Sequence, residues 1–297
     1  MANNLKIAFL GTPLFAVKIL EEMKKGGLTP ALIITAPDKP KGRKLALTPP
    51  PVKDWADKEK LPALQPETLN DIYADLKKEN WDIFILAAYG KIIPQKIIEM
   101  SKFGILNVHP SLLPKYRGPS PIQSAILNGD KKFGATIMLL DEKLDHGPIL
   151  SADHLTLADN VNYKELEDKL AELGGKLLVK TVPLWVNDKI KAIPQDHNKA
   201  TYTEKIKKEN GLINSGDDPQ IIEKKIRAFN PWPGVYFFLK KNKKLLRIII
   251  TGATLTGGKL KIEKVKPEGK KETTFADFMK ENPKLKPQID KIFFNII

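Results

Sequence analysis

The chain has 297 residues, of which 42% are hydrophobic, and a formal net charge of +14 at pH 7. This length is enough for a complete hydrophobic core and predicts two domains. The sequence contains no cysteine, which excludes disulfides, thiolate nucleophiles and cysteine-ligated metal sites.

The positive charge is concentrated towards the end of the chain. Residues 201–297 hold 21 Lys and Arg against 11 Asp and Glu, whereas residues 1–200 hold 28 against 24. This bias indicates a polyanionic partner, although a lysine-rich solvated surface would give the same composition. The first apolar stretch is too short for a signal peptide, and no run approaches the roughly 18 apolar residues of a membrane span. We therefore expect a cytoplasmic protein with no membrane contact.

The first elements predict the opening of a doubly wound α/β sheet. Residues 5–11 form an apolar strand pattern, an amphipathic helix follows and ends at Gly26 and Gly27, and a second strand pattern covers 29–36. This order is typical of a mostly parallel, Rossmann-like sheet. Gly11 does not begin a G-x-G-x-x-G pattern, which argues against a nicotinamide-dependent dehydrogenase.

A basic segment follows at 38–44, with four cations, a proline and a glycine. Because it has no periodicity, we expect an exposed and mobile loop, which beside an active site would be suited to gripping phosphate. A disordered surface loop without a ligand is the alternative. Further on, residues 61–66 predict a short strand, 67–80 a helix and 81–90 a fully apolar central strand.

The stretch 104–121 carries the first candidate site residues. An apolar strand stops at Pro110, and Asn107 and His109 lie two apart on it, so their side chains point to one face. Open α/β sheets bind ligands at the carboxyl ends of strands. A buried, hydrogen-bonded pair that merely closes the strand is equally compatible. The loop after it is rich in proline, and we favour a structural role for its Arg117 over binding of a carboxylate or phosphate.

A second candidate lies in an acidic turn between strand patterns at 135–140 and 148–157, which we expect to pair as a hairpin. Asp145 is in this turn, shortly before Gly147 and Pro148. The four histidines of the chain show no metal-ligand spacing, so we predict no metal.

Together, Asn-x-His, SLLPKYRG and Leu-Asp-x-Gly at this distance resemble the formyltransferase family that uses 10-formyltetrahydrofolate as cosubstrate. The catalytic trio of that family corresponds to Asn107, His109 and Asp145. An oriented amide stabilises the oxyanion of a formyl transfer, and an imidazole takes up the proton of the amine. Asp145 would orient the imidazole or relay the proton. The resemblance also implies that two loops hold the pterin ring, through Ala88, Tyr89, Gly90, Ile92, Ser111, Leu112, Leu113 and Pro114.

Family members that act on methionyl-tRNA have an inserted loop in which an arginine is central. The resemblance places this role on Arg43, supported by Lys39, Lys41 and Lys44. It implies an enzyme that formylates the amino group of methionyl initiator tRNA for translation initiation. We expect a monomer. Other acceptors remain open, namely an amino sugar nucleotide, glycinamide ribonucleotide, or water in hydrolysis of formyl-folate. A non-catalytic RNA-binding protein is the alternative from a different class.

The rest of the chain predicts the end of the catalytic domain and a second domain. Residues 162–190 predict a helix interrupted near Gly174 and Gly175, or two helices, and the polar residues 190–211 predict a linker. We expect domains at 1–205 and 206–297. After a helix at 217–230, short strands at regular spacing predict a small β-barrel, which the resemblance identifies as OB-fold-like and tRNA-contacting. We expect Trp232 to be a packing anchor of this domain.

Overall fold

The structure, a computed structural model, describes residues 5–41, 45–242 and 244–293. These residues form two compact units. One comprises the chain up to residue 118 together with 132–156 and 167–203, and the other comprises 119–131, 157–166 and the residues from 204 onward. The domain boundary at residue 205 stays a prediction. Within the described ranges, no helix is long and apolar enough to cross a membrane.

The first unit is built on a seven-stranded sheet. The strands of this unit, in chain order, are β1 (Ile7–Gly11), β2 (Leu32–Ile34), β3 (Lys39–Lys41), β4 (Ala46–Thr48), β5 (Ala63–Leu64), β6 (Ile83–Ala87), β7 (Ile105–His109), β8 (Lys132–Leu139) and β9 (Ile149–Thr156). The sheet has the order β5-β2-β1-β6-β7-β8-β9. Its first five strands run parallel, and β8 and β9 form an antiparallel hairpin at one edge. The predicted mostly parallel, doubly wound sheet is confirmed.

Helices cover both faces of this sheet. They are α1 (Leu14–Lys25), α2 (Pro51–Lys58), α3 (Tyr73–Lys77), α4 (Gln95–Ile98) and α6 (Tyr163–Val186). The helix α5 (Pro121–Asn128) belongs to the second unit. Every residue of β1 and β7 is buried. Burial explains the apolar sequence of β1 and the three apolar residues of β7, since strands covered on both faces have no solvent side. The core on one face includes Leu76 of α3, Ile97 of α4, Trp81 and Phe84.

Helix α6 is continuous, so the predicted interruption near Gly174 and Gly175 is wrong. A Cβ atom on Gly174 would lie 2.6 Å from Cγ1 of Val108 in β7, and one on Gly175 would lie 2.7 Å from Cβ of Glu22 in α1. Both distances are shorter than the 3.0 Å below which a Cβ atom essentially never approaches a non-bonded atom. The two glycines therefore allow α6 to pack closely on the sheet and on α1. In this helix glycine marks close approach and not an end.

The basic segment that the sequence suggested was irregular is partly ordered as a hairpin. Strand β3 pairs antiparallel with β4. The chain leading into it is fastened by the amide of Gln65, which donates hydrogen bonds to Ala36 O at 2.9 Å and to Oδ1 of Asp38 at 2.7 Å. Arg43 and Lys44 lie outside the described residues, and Lys41 is described only in its backbone.

The segment at 190–211 is not a free linker. Ile193 exchanges two backbone hydrogen bonds of 2.8 Å with Ile149 at the start of β9. Arg117 N donates to Thr201 O at 2.8 Å, and Thr203 N donates to Arg117 O at 2.7 Å. The part up to residue 203 is thus tied to the first unit by strand-like pairing, which polar composition alone did not indicate.

The second unit contains an antiparallel sheet. Its later elements are α7 (Pro219–Phe229), β10 (Val235–Lys241), β11 (Lys244–Thr256), β12 (Lys259–Pro267), β13 (Thr273–Thr274), α8 (Phe275–Glu281) and α9 (Lys286–Ile292). The four strands pair in chain order. The predicted strands are confirmed, whereas closure into an OB-fold-like barrel stays a prediction. Trp232 has 57% of its surface exposed, so its assignment as a packing anchor is wrong.

Candidate active site

Strand β7 positions two polar side chains at the carboxyl edge of the sheet. Val108 points to the face covered by α6, where it meets Gly174. Asn107 and His109 therefore point to the opposite face, as the alternation along a strand requires. Only 7% of Asn107 and 4% of His109 is exposed. Buried polar groups need hydrogen-bond partners, and the partners of these two come from the loops that follow β7 and β8.

Asp145 reaches the same place from the turn after β8. Its Oδ1 lies 3.4 Å from Nδ2 of Asn107 and 3.7 Å from Nδ1 of His109. Its Oδ2 accepts the backbone N–H of Gly118 at 2.7 Å. Asp145 is itself buried and has φ 46°, in the left-handed region that non-glycine residues rarely adopt. The structure thus brings Asn107 and His109 together with the carboxylate of Asp145, which lies 38 positions after Asn107 in the chain.

The hydrogen bonds of His109 assign its tautomer. Nε2 lies 3.0 Å from the backbone carbonyl oxygen of Tyr116. A carbonyl oxygen only accepts, so Nε2 carries the proton and Nδ1 of the neutral ring holds a lone pair. Nδ1 is also the nitrogen nearest to Asp145. This geometry leaves Nδ1 ready to take up a proton, and the resulting imidazolium would face a carboxylate.

The loop after β7 is held in place by internal hydrogen bonds. The hydroxyl of Thr136, a buried residue of β8, donates to Ser111 O at 2.7 Å and accepts from Leu113 N at 3.2 Å. Oγ of Ser111 donates to Lys115 O at 2.6 Å. Leu112 lies over Gly134, where a Cβ would be 2.4 Å from its Cδ2. Ser111 and Leu113 are buried, and Leu112 and Pro114 are half-buried. The predicted pterin-binding role of these four residues stays a prediction.

The turn after β6 lies at the same edge, because β6 and β7 are parallel neighbours. Ala88 and Gly90 have φ 47° and 79°, and both are exposed. Tyr89 between them is buried, which raises the pKa of its hydroxyl to about 12. Its carbonyl oxygen accepts from Oγ1 of Thr12 at 3.3 Å. Ile92 has 92% of its surface exposed. The turn is thus anchored by one aromatic ring and presents backbone and an apolar side chain outward.

The predicted basic residues can be placed only in part. Lys39 is exposed on β3, which follows the carboxyl end of β2 and therefore starts at the same edge of the sheet as the candidate site. For Lys41, Arg43 and Lys44 the structure describes no side chain. Among the residues that are described, no group of three or more His, Asp or Glu side chains is arranged to hold a metal ion.

Sequence reasoning missed several neighbours of the trio. The N–H of Gly118, the carbonyl of Tyr116 and the amide of Gln195 each contact Asp145 or His109. The first two are backbone groups, which residue identity does not reveal. Gln195 lies in the polar segment that was assigned to a linker. Arg117 is fully buried and structural as predicted, but it bonds to the side chains of Gln195, His197 and Tyr202 and not to loop carbonyls.

A buried amide, an imidazole and a carboxylate at the carboxyl edge of an α/β sheet define a site suited to transfer of an acyl group to an amine. The chain belongs to the formyl transferase family. The model of the formyl transferase domain matches residues 5–182, and that of the formyl transferase C-terminal domain matches residues 205–253.

Similar proteins support the same assignment. Methionyl-tRNA formyltransferase of Chloroflexus aurantiacus is 43% identical over 247 residues, covering 82% of this chain and 79% of its own. The enzyme of that name from a Geobacillus species is 38% identical over 299 residues, which cover 93% of this chain and 94% of the Geobacillus chain. A solved N-formyltransferase from Helicobacter canadensis, in complex with folinic acid and dTDP-3-aminofucose, has a TM-score of 0.63 at 21% identity. It covers 86% of this chain and 89% of its own, and this likeness shows the shared fold.

Proposed function

We propose that this protein transfers the formyl group of 10-formyltetrahydrofolate to the amino group of methionine esterified to initiator tRNA. The observation that carries the proposal is the buried cluster of Asn107, His109 and Asp145 at the carboxyl end of β7. Relatives that bear the name methionyl-tRNA formyltransferase match most of the chain at 43% and 38% identity.

The residues of the cluster divide the chemistry between them. The amino nitrogen attacks the formyl carbon and forms a tetrahedral intermediate, whose collapse breaks the bond from that carbon to N10 of the folate. Nδ1 of His109 takes the proton that the attacking amine loses and passes it to N10, so that tetrahydrofolate leaves with an N10–H bond. One N–H of Asn107 lies towards Asp145, and the other is the donor for the formyl oxygen as it becomes negative. Asp145 stabilises the imidazolium across 3.7 Å.

The folate would lie against the two turns at the carboxyl edge. Ala88, Gly90 and Ile92 expose backbone and apolar surface there. A pterin ring offers a flat apolar face and a hydrogen-bonding edge, so an exposed aliphatic side chain next to open backbone groups suits it. Ser111, Leu112, Leu113 and Pro114 would form the second wall, with the buried Ser111 and Leu113 fixing its shape.

The tRNA would be held by basic groups on both proposed domains, 1–205 and 206–297. In the first, the residues are Lys39, Lys41, Arg43 and Lys44. In the second, β12 carries Lys259, Lys261, Lys264 and Lys266, all exposed, between the buried Leu260, Ile262 and Val265. Such alternation gathers lysines on the outer face of the strand, where they match a phosphate backbone. We propose a monomer that acts in the cytoplasm, where its tRNA substrate is used.

The test is transfer of labelled formyl from 10-formyltetrahydrofolate to methionyl initiator tRNA, with uncharged tRNA and water as control acceptors. We expect label on the aminoacylated tRNA. Release of the label as formate would identify a hydrolase. Transfer only to an amino sugar nucleotide or to glycinamide ribonucleotide would overturn the assigned acceptor.

The non-catalytic RNA-binding alternative is separated by His109→Ala. The imidazole is buried and bonds to a loop carbonyl, so tRNA does not need it for binding. We expect turnover to be lost and tRNA affinity to stay within about threefold of the unmodified protein. Tight tRNA binding by both proteins, with no transfer by either, would support the binding-protein alternative.

A further inference from the structure

Arg117 is a buried cation that lies next to the trio without touching it. Its side chain is fully buried. Nε and Nη2 donate to Oε1 of Gln195 at 3.1 and 2.7 Å, so one amide oxygen receives two arms of the guanidinium. Nη2 also lies 2.9 Å from Nδ1 of His197, and Nη1 donates to the Tyr202 hydroxyl at 3.2 Å. The planar guanidinium therefore fixes which end of the Gln195 amide faces it.

Gln195 passes this orientation on to the turn that holds Asp145. Its Oε1 faces Arg117, so its Nε2 faces the other way and donates to Asp145 O at 3.0 Å and to Gly147 O at 2.7 Å. One amide group thus binds the backbone carbonyl oxygens of both Asp145 and Gly147. Asp145 has φ 46°, in the left-handed region that is uncommon for any residue other than glycine, and the two hydrogen bonds from Gln195 help to hold it there.

Arg117 and the adjacent Gly118 both help to hold Asp145 in place. The backbone N–H of Gly118 binds the carboxylate at 2.7 Å, and the Arg117 side chain holds the main chain of Asp145 through Gln195. Gly118 itself has φ 112°, and a Cβ there would lie 2.7 Å from Thr203 O. The carboxylate position is therefore fixed relative to both the loop after β7 and the segment that carries Gln195.

We propose that Arg117 and Gln195 are a positioning pair, which holds the Asp145 carboxylate at the distance from His109 and Asn107 that the reaction needs. This inference deepens the proposed function and rests on it. Neither residue touches the reacting atoms, and both act through the backbone of Asp145. The proposal also makes residues 190–203 part of the active site, because this segment carries Gln195.

The primary variant is Gln195→Glu, which keeps an oxygen acceptor for Arg117 and removes the two N–H donors to Asp145 O and Gly147 O. We expect kcat for formyl transfer to fall about 10- to 100-fold, while KM for tRNA and for the folate stays within about threefold. Trp185→Phe is the matched control for stability. It removes a side-chain hydrogen bond to the backbone carbonyl of Phe103, 2.9 Å long, elsewhere in the same unit, and should leave kcat unchanged.

A double-mutant cycle with Asp145→Asn distinguishes positioning from a general structural role. If Gln195 acts only through Asp145, the double variant should be no slower than Asp145→Asn alone, within about twofold. If the decreases in kcat of the two single variants multiply in the double variant, the proposal is overturned. Arg117→Lys, which keeps the charge and loses the fork, should reproduce the effect of Gln195→Glu and should likewise show no further loss on the Asp145→Asn background.

A crystal structure of the Gln195→Glu variant supplies a readout that does not depend on activity. We expect the distance of 3.7 Å between Nδ1 of His109 and Oδ1 of Asp145 to increase. An unchanged distance would overturn the positioning role. Absence of formyl transfer by the unmodified protein would instead overturn the proposed function, and the crystallographic comparison would still test the pair.

Discussion

Asp145→Asn should reduce turnover far more than it reduces substrate binding. The Asn oxygen would keep the Gly118 N–H, so the new amide N–H groups would face Nδ2 of Asn107 and Nδ1 of His109 in place of a carboxylate oxygen. The imidazolium formed when His109 takes up the amine proton then loses a negative charge at 3.7 Å. At an effective dielectric constant of about 20 this attraction is worth about 4 kcal/mol. Since each 1.4 kcal/mol or so is a factor of ten, kcat should fall by up to about 1,000-fold.

The measurement is a single-turnover rate of formyl transfer at saturating enzyme and folate, together with KM for methionyl-tRNA. Glu142→Gln is the matched control, because it neutralises an exposed carboxylate in the same turn; its kcat should stay within about twofold of the unmodified enzyme. A loss of less than about tenfold in Asp145→Asn would show that the carboxylate does not stabilise the protonated imidazole.

Three further outcomes follow from the structure. Tyr89→Phe removes a buried hydroxyl that has no hydrogen-bond partner among the described residues, so the free energy of unfolding should not fall and should rise by up to about 1 kcal/mol in urea titrations. Gly147→Ala would place a Cβ 2.0 Å from Leu139 O, a backbone atom that cannot yield; we expect unfolding to become easier by about 1–3 kcal/mol and formyl transfer to fall together with it. Partial desolvation, helped by neighbouring positive groups such as Arg117, lowers the pKa of His197, so below about pH 6.5 the unfolded chain takes up a proton that the folded chain resists. Stability should therefore decrease as the pH falls through this range, and less steeply in His197→Gln; identical pH dependence of the two proteins would contradict this assignment.

The fold of the first unit was predictable because its signals are local. Buried parallel strands give nearly continuous apolar runs, and the runs at 5–11, 81–90 and 104–109 all contain strands of the central sheet. The errors arose where tertiary packing decides. Gly174 and Gly175 resemble a helix stop in the sequence, but the neighbours that require small residues there, Val108 and Glu22, are far away in the chain.

The contrast between local sequence signals and tertiary packing also applies to the candidate site, which consists of the three predicted residues and the residues that hold them in place. Asn107, His109 and Asp145 could be predicted from the sequence because their short patterns, taken together, resemble those of a known family, and the structure brings the three side chains together. Gln195, which helps to hold Asp145 in place, has no such pattern: it lies 78 positions from Arg117 and 50 from Asp145, in a polar segment whose composition is that of a loop. Burial of the Arg117 guanidinium is the physical reason to look for such a partner, because a buried arginine requires hydrogen-bond acceptors. A polar stretch after the last helix of such a domain is therefore a place to search for positioning side chains, and the double-mutant cycle between Gln195 and Asp145 decides whether this one serves that purpose.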